Sequence, residues 1–211
     1  MQINEGLPGP LQDAFEALPG LVPAQRHGSR APGYSPGSPD IGLVTRLMRD
    51  IRSIWVPADA GPLSYADRIW RPYLRVRRDA RNFAGTTLAC TDWAPENILV
   101  TGGRAWVARW TRPALAAPWV DAACLVLELI VHGHDPRDAE ALAAREVTAF
   151  ALASPAAIDM FARASRKMHE DPANANPRKR ELAAAACQWS GYRYLRERAP
   201  AAPGPAGRRQ R

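Results

Sequence analysis

Apolar residues recur at steps of three and four positions in the first half of the chain, which is typical of helices that bury one face. This spacing predicts an amphipathic helix over residues 40–55, with Asp40 as its N-cap. The breaker Ala-Gly-Pro at 60–62 then separates it from a second predicted helix, which runs from Ser64 to about residue 83.

The second half is also helical in its pattern. The run 119–132 is nearly all apolar and predicts a central, buried helix that ends at Gly133. Histidines 132 and 134 flank that glycine, and the end of a helix explains them better than a metal site does. Further helices are predicted from Asp135-Pro136, from Ser154-Pro155 to about residue 169, and over 177–198.

Three short β-prone runs lie between the two helical halves, at 86–89, 98–100 and 105–108. The tight-turn sequence Thr-Gly-Gly-Arg at 101–104 joins the last two into a predicted β-hairpin, and the loop 90–97 leads directly into it. The fold class is therefore α+β, mainly α, because the strand–helix alternation of Rossmann and TIM folds is absent. Most of the seven tryptophans fall at apolar positions, which favours core packing over carbohydrate stacking.

Proline and glycine divide the chain into three parts. The 211 residues include 20 prolines and 15 glycines, which are concentrated near the two ends. We expect a poorly ordered segment over 1–33, one packed domain over 34–198, and a disordered basic tail over 199–211.

Charge and cysteine content exclude several classes of protein. The net charge is +7, and residues 178–211 hold nine Lys and Arg against two Asp and Glu, so the remainder is balanced. This location indicates a solvated helix and tail rather than a surface that reads nucleic acid. Three widely spaced cysteines argue against a disulfide scaffold or a zinc site, and no apolar run is long enough to cross a bilayer. We expect a cytoplasmic protein without specific nucleic-acid or membrane partners.

The loop before the hairpin carries the clearest chemistry. It places Asp92 and Asn97 five positions apart, and a Trp-Val-Asp sequence then opens the buried helix at Asp121. A carboxylate and a carboxamide on one bend can hold a hydroxyl group and a hard cation close together.

This arrangement resembles the C-terminal lobe of the aminoglycoside phosphotransferase family, which has a protein-kinase-like fold. The resemblance covers about three quarters of the chain, from residue 34 to 195. It rests on four segments: Tyr-Ser-Pro-Gly-Ser-Pro-Asp at 34–40, Cys-Thr-Asp-Trp-Ala-Pro-Glu-Asn at 90–97, Trp-Val-Asp-Ala-Ala at 119–123 and Gly-His-Asp-Pro at 133–136.

The resemblance implies a kinase-like C-lobe in which a small hairpin carries the catalytic loop. It implies that Asp92 is the catalytic aspartate, which accepts the proton of an attacking hydroxyl, and that Asn97 binds Mg²⁺ while ATP donates the phosphoryl group. Asp121 would be a structural acid that braces the loop through backbone N–H groups, although a plain helix N-cap would have the same sequence. Cys90 stands where the family has a histidine that supports the loop.

Three departures from the family pattern weaken the predicted activity. Arg109 occupies the position of the second Mg²⁺ ligand, where a guanidinium cannot bind a cation and would repel it by about 4 kcal/mol at about 4 Å. Cys90 replaces the supporting histidine, and a nucleophilic role for its sulfur lacks a nearby histidine partner in the sequence. The nucleotide-binding N-lobe is absent or vestigial, and no cofactor-binding residue is recognisable.

Two functions therefore stay open. The first is a truncated aminoglycoside phosphotransferase-like protein whose ancestral activity is phosphoryl transfer from ATP to a hydroxyl, and whether this chain keeps that activity stays open. The second is a non-catalytic, pseudokinase-like module that binds a small molecule or regulates another protein. A cationic, aminoglycoside-like molecule is the expected ligand because Asp92 and Glu96 are acidic. The face without its lobe would favour self-association.

Overall fold

The computed structural model describes residues 8, 11, 28–57, 60, 63–172 and 176–198. Its chain forms α1 (Asp40–Arg52), β1 (Ser64–Tyr65), α2 (Ala66–Trp70), β2 (Thr87–Ala89), β3 (Ile98–Thr101), β4 (Arg104–Val107), β5 (Ala114–Ala116), α3 (Val120–Val131), α4 (Pro136–Glu146), α5 (Thr148–Ala151), α6 (Pro155–Glu170) and α7 (Pro177–Arg198). Three 3-10 turns lie at Arg71–Tyr73, Arg77–Phe83 and Pro95–Asn97. The fold is mainly helical with small sheets, which confirms the predicted class.

Two small sheets support the middle of the chain. The predicted hairpin is confirmed: β3 and β4 pair antiparallel, with Val100 opposite Ala105, and Gly102 and Gly103 at its tip both have positive φ. The second sheet has the order β1-β5-β2, in which β5 runs parallel to β1 and antiparallel to β2. The loop 90–97 passes from one sheet to the other.

The core lies between α3 and its neighbouring helices. α3 is buried along almost its whole length, as predicted, and α7 packs along both α3 and α6. Tryptophans 70, 93, 106, 110, 119 and 189 are buried, which confirms their assignment to the core, whereas Trp55 is 77% exposed. The rings of Trp70, Phe83, Trp119 and Phe161 form a group of mutual edge and tilted contacts at 5.1–6.1 Å.

A buried ion network fixes the position of α7. The guanidinium of Arg193 donates to Glu140 of α4 at 2.6 Å, to Asp159 of α6, and to the carbonyl oxygen of Pro155 at 3.0 Å. Glu140 also accepts from the indole N–H of Trp189 at 2.8 Å. Three helices are thereby joined through one arginine.

The prediction of a helix from Ser64 to about residue 83 is wrong. Residues 64 and 65 are extended and pair with β5, and the helix that follows is only five residues long. Pro72 lacks the N–H that an α-helix would need at this point, and Leu74 has an extended backbone. The chain therefore continues in 3-10 turns.

The predicted N-cap of α1 is also corrected. Pro39 is the N-cap, and Asp40 lies within the first turn, where its carboxylate accepts from the backbone N–H of Gly33 at 2.8 Å and from Arg30. Most of the predicted loose ends, 1–7, 9–10, 12–27 and 199–211, lies outside the described residues.

Candidate functional site

Asp121 holds the start of the loop 90–97. Its two carboxylate oxygens accept from the backbone N–H of Cys90 at 3.0 Å and of Thr91 at 2.8 Å. Trp119 is the N-cap of α3, so the side chain of Asp121 braces the loop instead of capping its own helix. Burial raises the pKa of Asp121, and the N–H of Thr91 partly offsets that rise.

Thr91 gives the loop an unusual bend. Its φ is 60°, a left-handed conformation that costs a non-glycine residue of order 1 kcal/mol or more. Two contacts hold it there: the N–H bond to Asp121, and a bond from its own hydroxyl to the carbonyl oxygen of Arg112 at 2.8 Å. The following residue, Asp92, is therefore presented from a fixed backbone.

The carboxylate of Asp92 is oriented by its neighbours. Thr111 donates its hydroxyl hydrogen to one oxygen at 2.7 Å, and the N–H of Ala94 lies 3.4 Å from the other. Asp92 is half-buried and lines a cavity that it shares with α3, α6 and α7. Thr111 has no motif around it in the sequence and was not among the predicted site residues.

Asn97 and Arg109 are neighbours across the hairpin. The backbone carbonyl of Asn97 accepts from the N–H of Ala108 at 2.8 Å and of Arg109 at 3.3 Å. Together with the contacts of Thr91 and Thr111, these bonds hold the loop 90–97 against residues 108–112. The structure thus brings the backbone that carries Asp92, Asn97 and Arg109 into one region.

The donor set of this region does not fit a magnesium ion. Asn97 offers a single carboxamide oxygen, and Arg109, which is exposed, is a cation at the position where the resemblance requires a carboxylate. Within the described ranges, no group of three His, Cys, Asp or Glu side chains could hold a metal ion.

Cys90 is a buried thiol. Burial raises its pKa well above the usual value, and the nearby charge of Asp121 raises it further. The sulfur donates to the backbone carbonyl of Asp92 at 3.4 Å. A thiol that resists ionisation is a poor nucleophile, so its role in this structure is to pack beneath the loop.

Residues from distant parts of the chain meet at Tyr34. Its hydroxyl donates to the backbone carbonyl of Trp93 at 2.9 Å, and its own carbonyl oxygen lies 2.9 Å from Nε2 of His134. His132 contacts the Tyr34 ring edge-on at 5.4 Å and is the C-cap of α3, one residue ahead of the predicted end at Gly133, whose φ is 94°. Both histidines thus contact Tyr34 and help to pack the segment 34–40 against the loop.

The cavity behind Asp92 contains ionisable residues that no sequence motif singles out. Four such side chains lie among its lining: Arg112, Glu128, His169 and Lys179. Burial raises the pKa of Glu128 to about 7, although its ion pair with Arg178 opposes the shift. Burial, and then the charge of Lys179, lowers the pKa of His169 to about 3. Arg112 follows β4, and the other three lie one each on α3, α6 and α7, so only the tertiary structure shows that they share a cavity.

No helix in the described part of the chain combines the length and apolar character that crossing a membrane would take. Comparisons of the chain with protein-family models, with curated proteins and with solved structures found no match.

Proposed function

We propose that this chain is a kinase-like C-lobe that binds a small, hydroxylated and cationic molecule at Asp92 and does not by itself transfer a phosphoryl group. The single observation that carries the proposal is the fixed presentation of Asp92, whose loop is braced by Asp121 and whose carboxylate is oriented by Thr111. A carboxylate held in this way can accept a hydrogen bond from a hydroxyl group.

The charge on the open side of the loop supports a cationic ligand. Asp92 is half-exposed and Glu96 is exposed, and both belong to the same eight-residue loop. The cavity behind Asp92 has a volume of about 40 Å³, enough for about three water molecules. An aminosugar would therefore bind against the outer side of the loop and reach the cavity only with one polar group.

The residues around Asn97 support binding without phosphoryl transfer. Transfer from ATP needs a divalent ion to neutralise the charge that develops on the phosphate oxygens. Asn97 is one neutral ligand, and the guanidinium charge of Arg109 opposes a cation. These residues therefore favour binding at Asp92 over phosphoryl transfer.

Thermal unfolding of the full chain tests the proposal. We expect kanamycin, as a representative aminoglycoside, to raise Tm in a concentration-dependent manner, and Mg²⁺ to add nothing to the effect of ATP on Tm. Asp92→Asn should weaken the kanamycin effect at least about tenfold, since it removes the charge but keeps the shape. The matched control is Asp50→Asn, which makes the same change at an exposed position of α1 and should leave the effect intact.

Two results would contradict the proposal. One is stabilisation by ATP that depends on Mg²⁺, which would indicate a working nucleotide site. The other is an equal loss of the kanamycin effect in the Asp92 and Asp50 variants, which would indicate binding to net charge alone.

A further inference from the structure

Four arginines line one surface cavity on the side of the short helix α2. The cavity has a volume of about 380 Å³ and is lined by Asp67, Arg71, Arg77, Arg78, Arg81 and Ala84. These residues converge because the chain from 71 to 83 folds back in 3-10 turns; a continuous helix would distribute them around its circumference. The convergence is therefore a product of the tertiary structure.

The cavity carries an uncompensated positive charge. Asp67 is the one acidic residue among the described residues of its lining, and Arg71 already donates to that carboxylate at 2.9 Å. Arg77, Arg78 and Arg81 are exposed, and within the part of the chain that the structure describes no carboxylate pairs with them. Arg68 and Arg75 lie in the same part of the chain. Residues 66–84 hold six arginines and two aspartates in all.

The backbone beneath these arginines is anchored in the core. Trp70 is buried and donates its indole N–H to Ser165 at 3.0 Å, while Ala80 and Phe83 are buried on either side of Arg81. The guanidinium groups thus extend from a fixed base. Like charges on one surface repel one another, so the arrangement adds no stability to the fold.

We propose that this cavity binds a small polyanion that carries two or more linked phosphate groups. Guanidinium groups form paired, forked hydrogen bonds to phosphate oxygens, and several of them around one concave surface match a chain of phosphates better than a single one. A volume of about 380 Å³ lies at the small end of the range for ligand sites, and it suits a triphosphate.

The lining favours this ligand over larger anionic partners. Among the described residues, no aromatic ring on which a base of single-stranded nucleic acid could stack lines the cavity, and Ala84 is the one apolar residue of its lining. An anionic membrane surface would require an apolar face beside the arginines to enter the headgroup region. Neither feature is found among the lining residues.

Calorimetric titration of the full chain with sodium tripolyphosphate, at fixed ionic strength and without divalent ions, tests the proposal. We expect tripolyphosphate to bind at least about tenfold more tightly than inorganic phosphate, and the Arg77→Gln/Arg78→Gln variant to lose at least about tenfold of that affinity. The control is Arg137→Gln/Arg145→Gln on α4, which removes the same charge and should change affinity less than about twofold. ATP without Mg²⁺ distinguishes the sources of the phosphates: affinity equal to tripolyphosphate indicates the phosphate chain alone, and tighter binding indicates a nucleotide.

Three results would overturn the proposal: equal affinity for phosphate and tripolyphosphate, equal losses in the two double variants, or tighter binding of a single-stranded oligonucleotide than of tripolyphosphate. All four substituted arginines are exposed, and an unchanged Tm checks that each variant is folded. The proposal is independent of the site at Asp92, because the Arg77→Gln/Arg78→Gln variant should keep its response to kanamycin.

Discussion

Glu128 and His169 line the same cavity but respond to pH in opposite directions. The pKa of Glu128 is raised from 4.5 to about 7, so between these values the folded chain keeps a proton that the unfolded chain releases, and stability falls as pH rises. The pKa of His169 is lowered from 6.5 to about 3, so the unfolded chain holds the extra proton and stability rises with pH. Between pH 4.5 and 6.5 the two effects oppose each other.

Single substitutions should separate these two contributions. In Glu128→Gln only the histidine effect remains. Its free energy of unfolding should therefore rise by about 2 kcal/mol from pH 4.5 to 6.5, relative to the change in the unmodified chain over the same range. His169→Asn should lose a similar amount over the same range. Urea denaturation at pH 4.5, 5.5 and 6.5 measures both differences. Parallel pH profiles in all three proteins would show that these groups do not titrate as described.

Arg109 offers a second prediction at the level of one residue. Arg109→Asp replaces a cation by a carboxylate beside Asn97, so we expect Mg²⁺ affinity, measured by calorimetry, to rise at least about tenfold. Arg104→Asp makes the same change of charge at the exposed first residue of β4 and should not have this effect. Equal Mg²⁺ binding by both variants would contradict the placement of residue 109 at a cation site.

Most elements could be predicted from the sequence where local pattern and tertiary structure agree. α1, α3, α6 and α7 follow apolar periodicity, and the hairpin follows its Gly-Gly turn. β5 could not be predicted, because its alanines have low β propensity and its pairing with β1 joins residues 50 positions apart. The failure of the helix at 64–83 has the same origin, since Ser64 is extended in order to pair with Ala114.

The backbone at Gly85 lies very close to the backbone at the end of β5. A Cβ atom there would lie 2.2 Å from the carbonyl oxygen of Ala116, where the chain entering β2 passes the end of β5. We therefore expect Gly85→Ala to lower the free energy of unfolding by about 3 kcal/mol, measured by urea denaturation.

Gly42→Ala is the matched control for this change. A Cβ at Gly42, within α1, meets only the end of the Arg46 side chain at 3.9 Å. That substitution should stabilise the chain by about 0.5–1 kcal/mol, since alanine favours the helix. A Gly85 variant as stable as the Gly42 variant would contradict the close contact.

At the scale of the whole molecule, Arg193 joins α4, α6 and α7. Arg193→Met should lower the unfolding free energy by about 3 kcal/mol, because it leaves Asp159 without this partner and removes a charge from the buried Glu140. Arg198→Met, at the exposed end of the same helix, should cost less than about 1 kcal/mol. Similar losses in the two variants, again by urea denaturation, would show that the network does not hold α7.

The candidate site was predictable only in part. The loop, Asp92, Asn97, Arg109 and Asp121 were recognisable from their order along the chain, and hydrogen bonds now connect their surroundings. The arginine cavity could not be predicted in this way. The net charge of the chain outside residues 178–211 is zero, and this sum does not show that folding places several arginines on one surface. Sequence order finds groups that act from one loop, whereas groups gathered from several turns need coordinates.

The contact between Arg30 and Val100 affects how the hairpin meets other molecules. Arg30 exchanges two backbone hydrogen bonds with Val100, at 2.7 and 3.1 Å, on the side of β3 that β4 does not cover. An uncovered strand edge is a template on which another chain can add a strand, which leads to aggregation. The backbone of Arg30 therefore covers that edge of β3. Loss of this contact would expose the edge to pairing with a strand of another molecule.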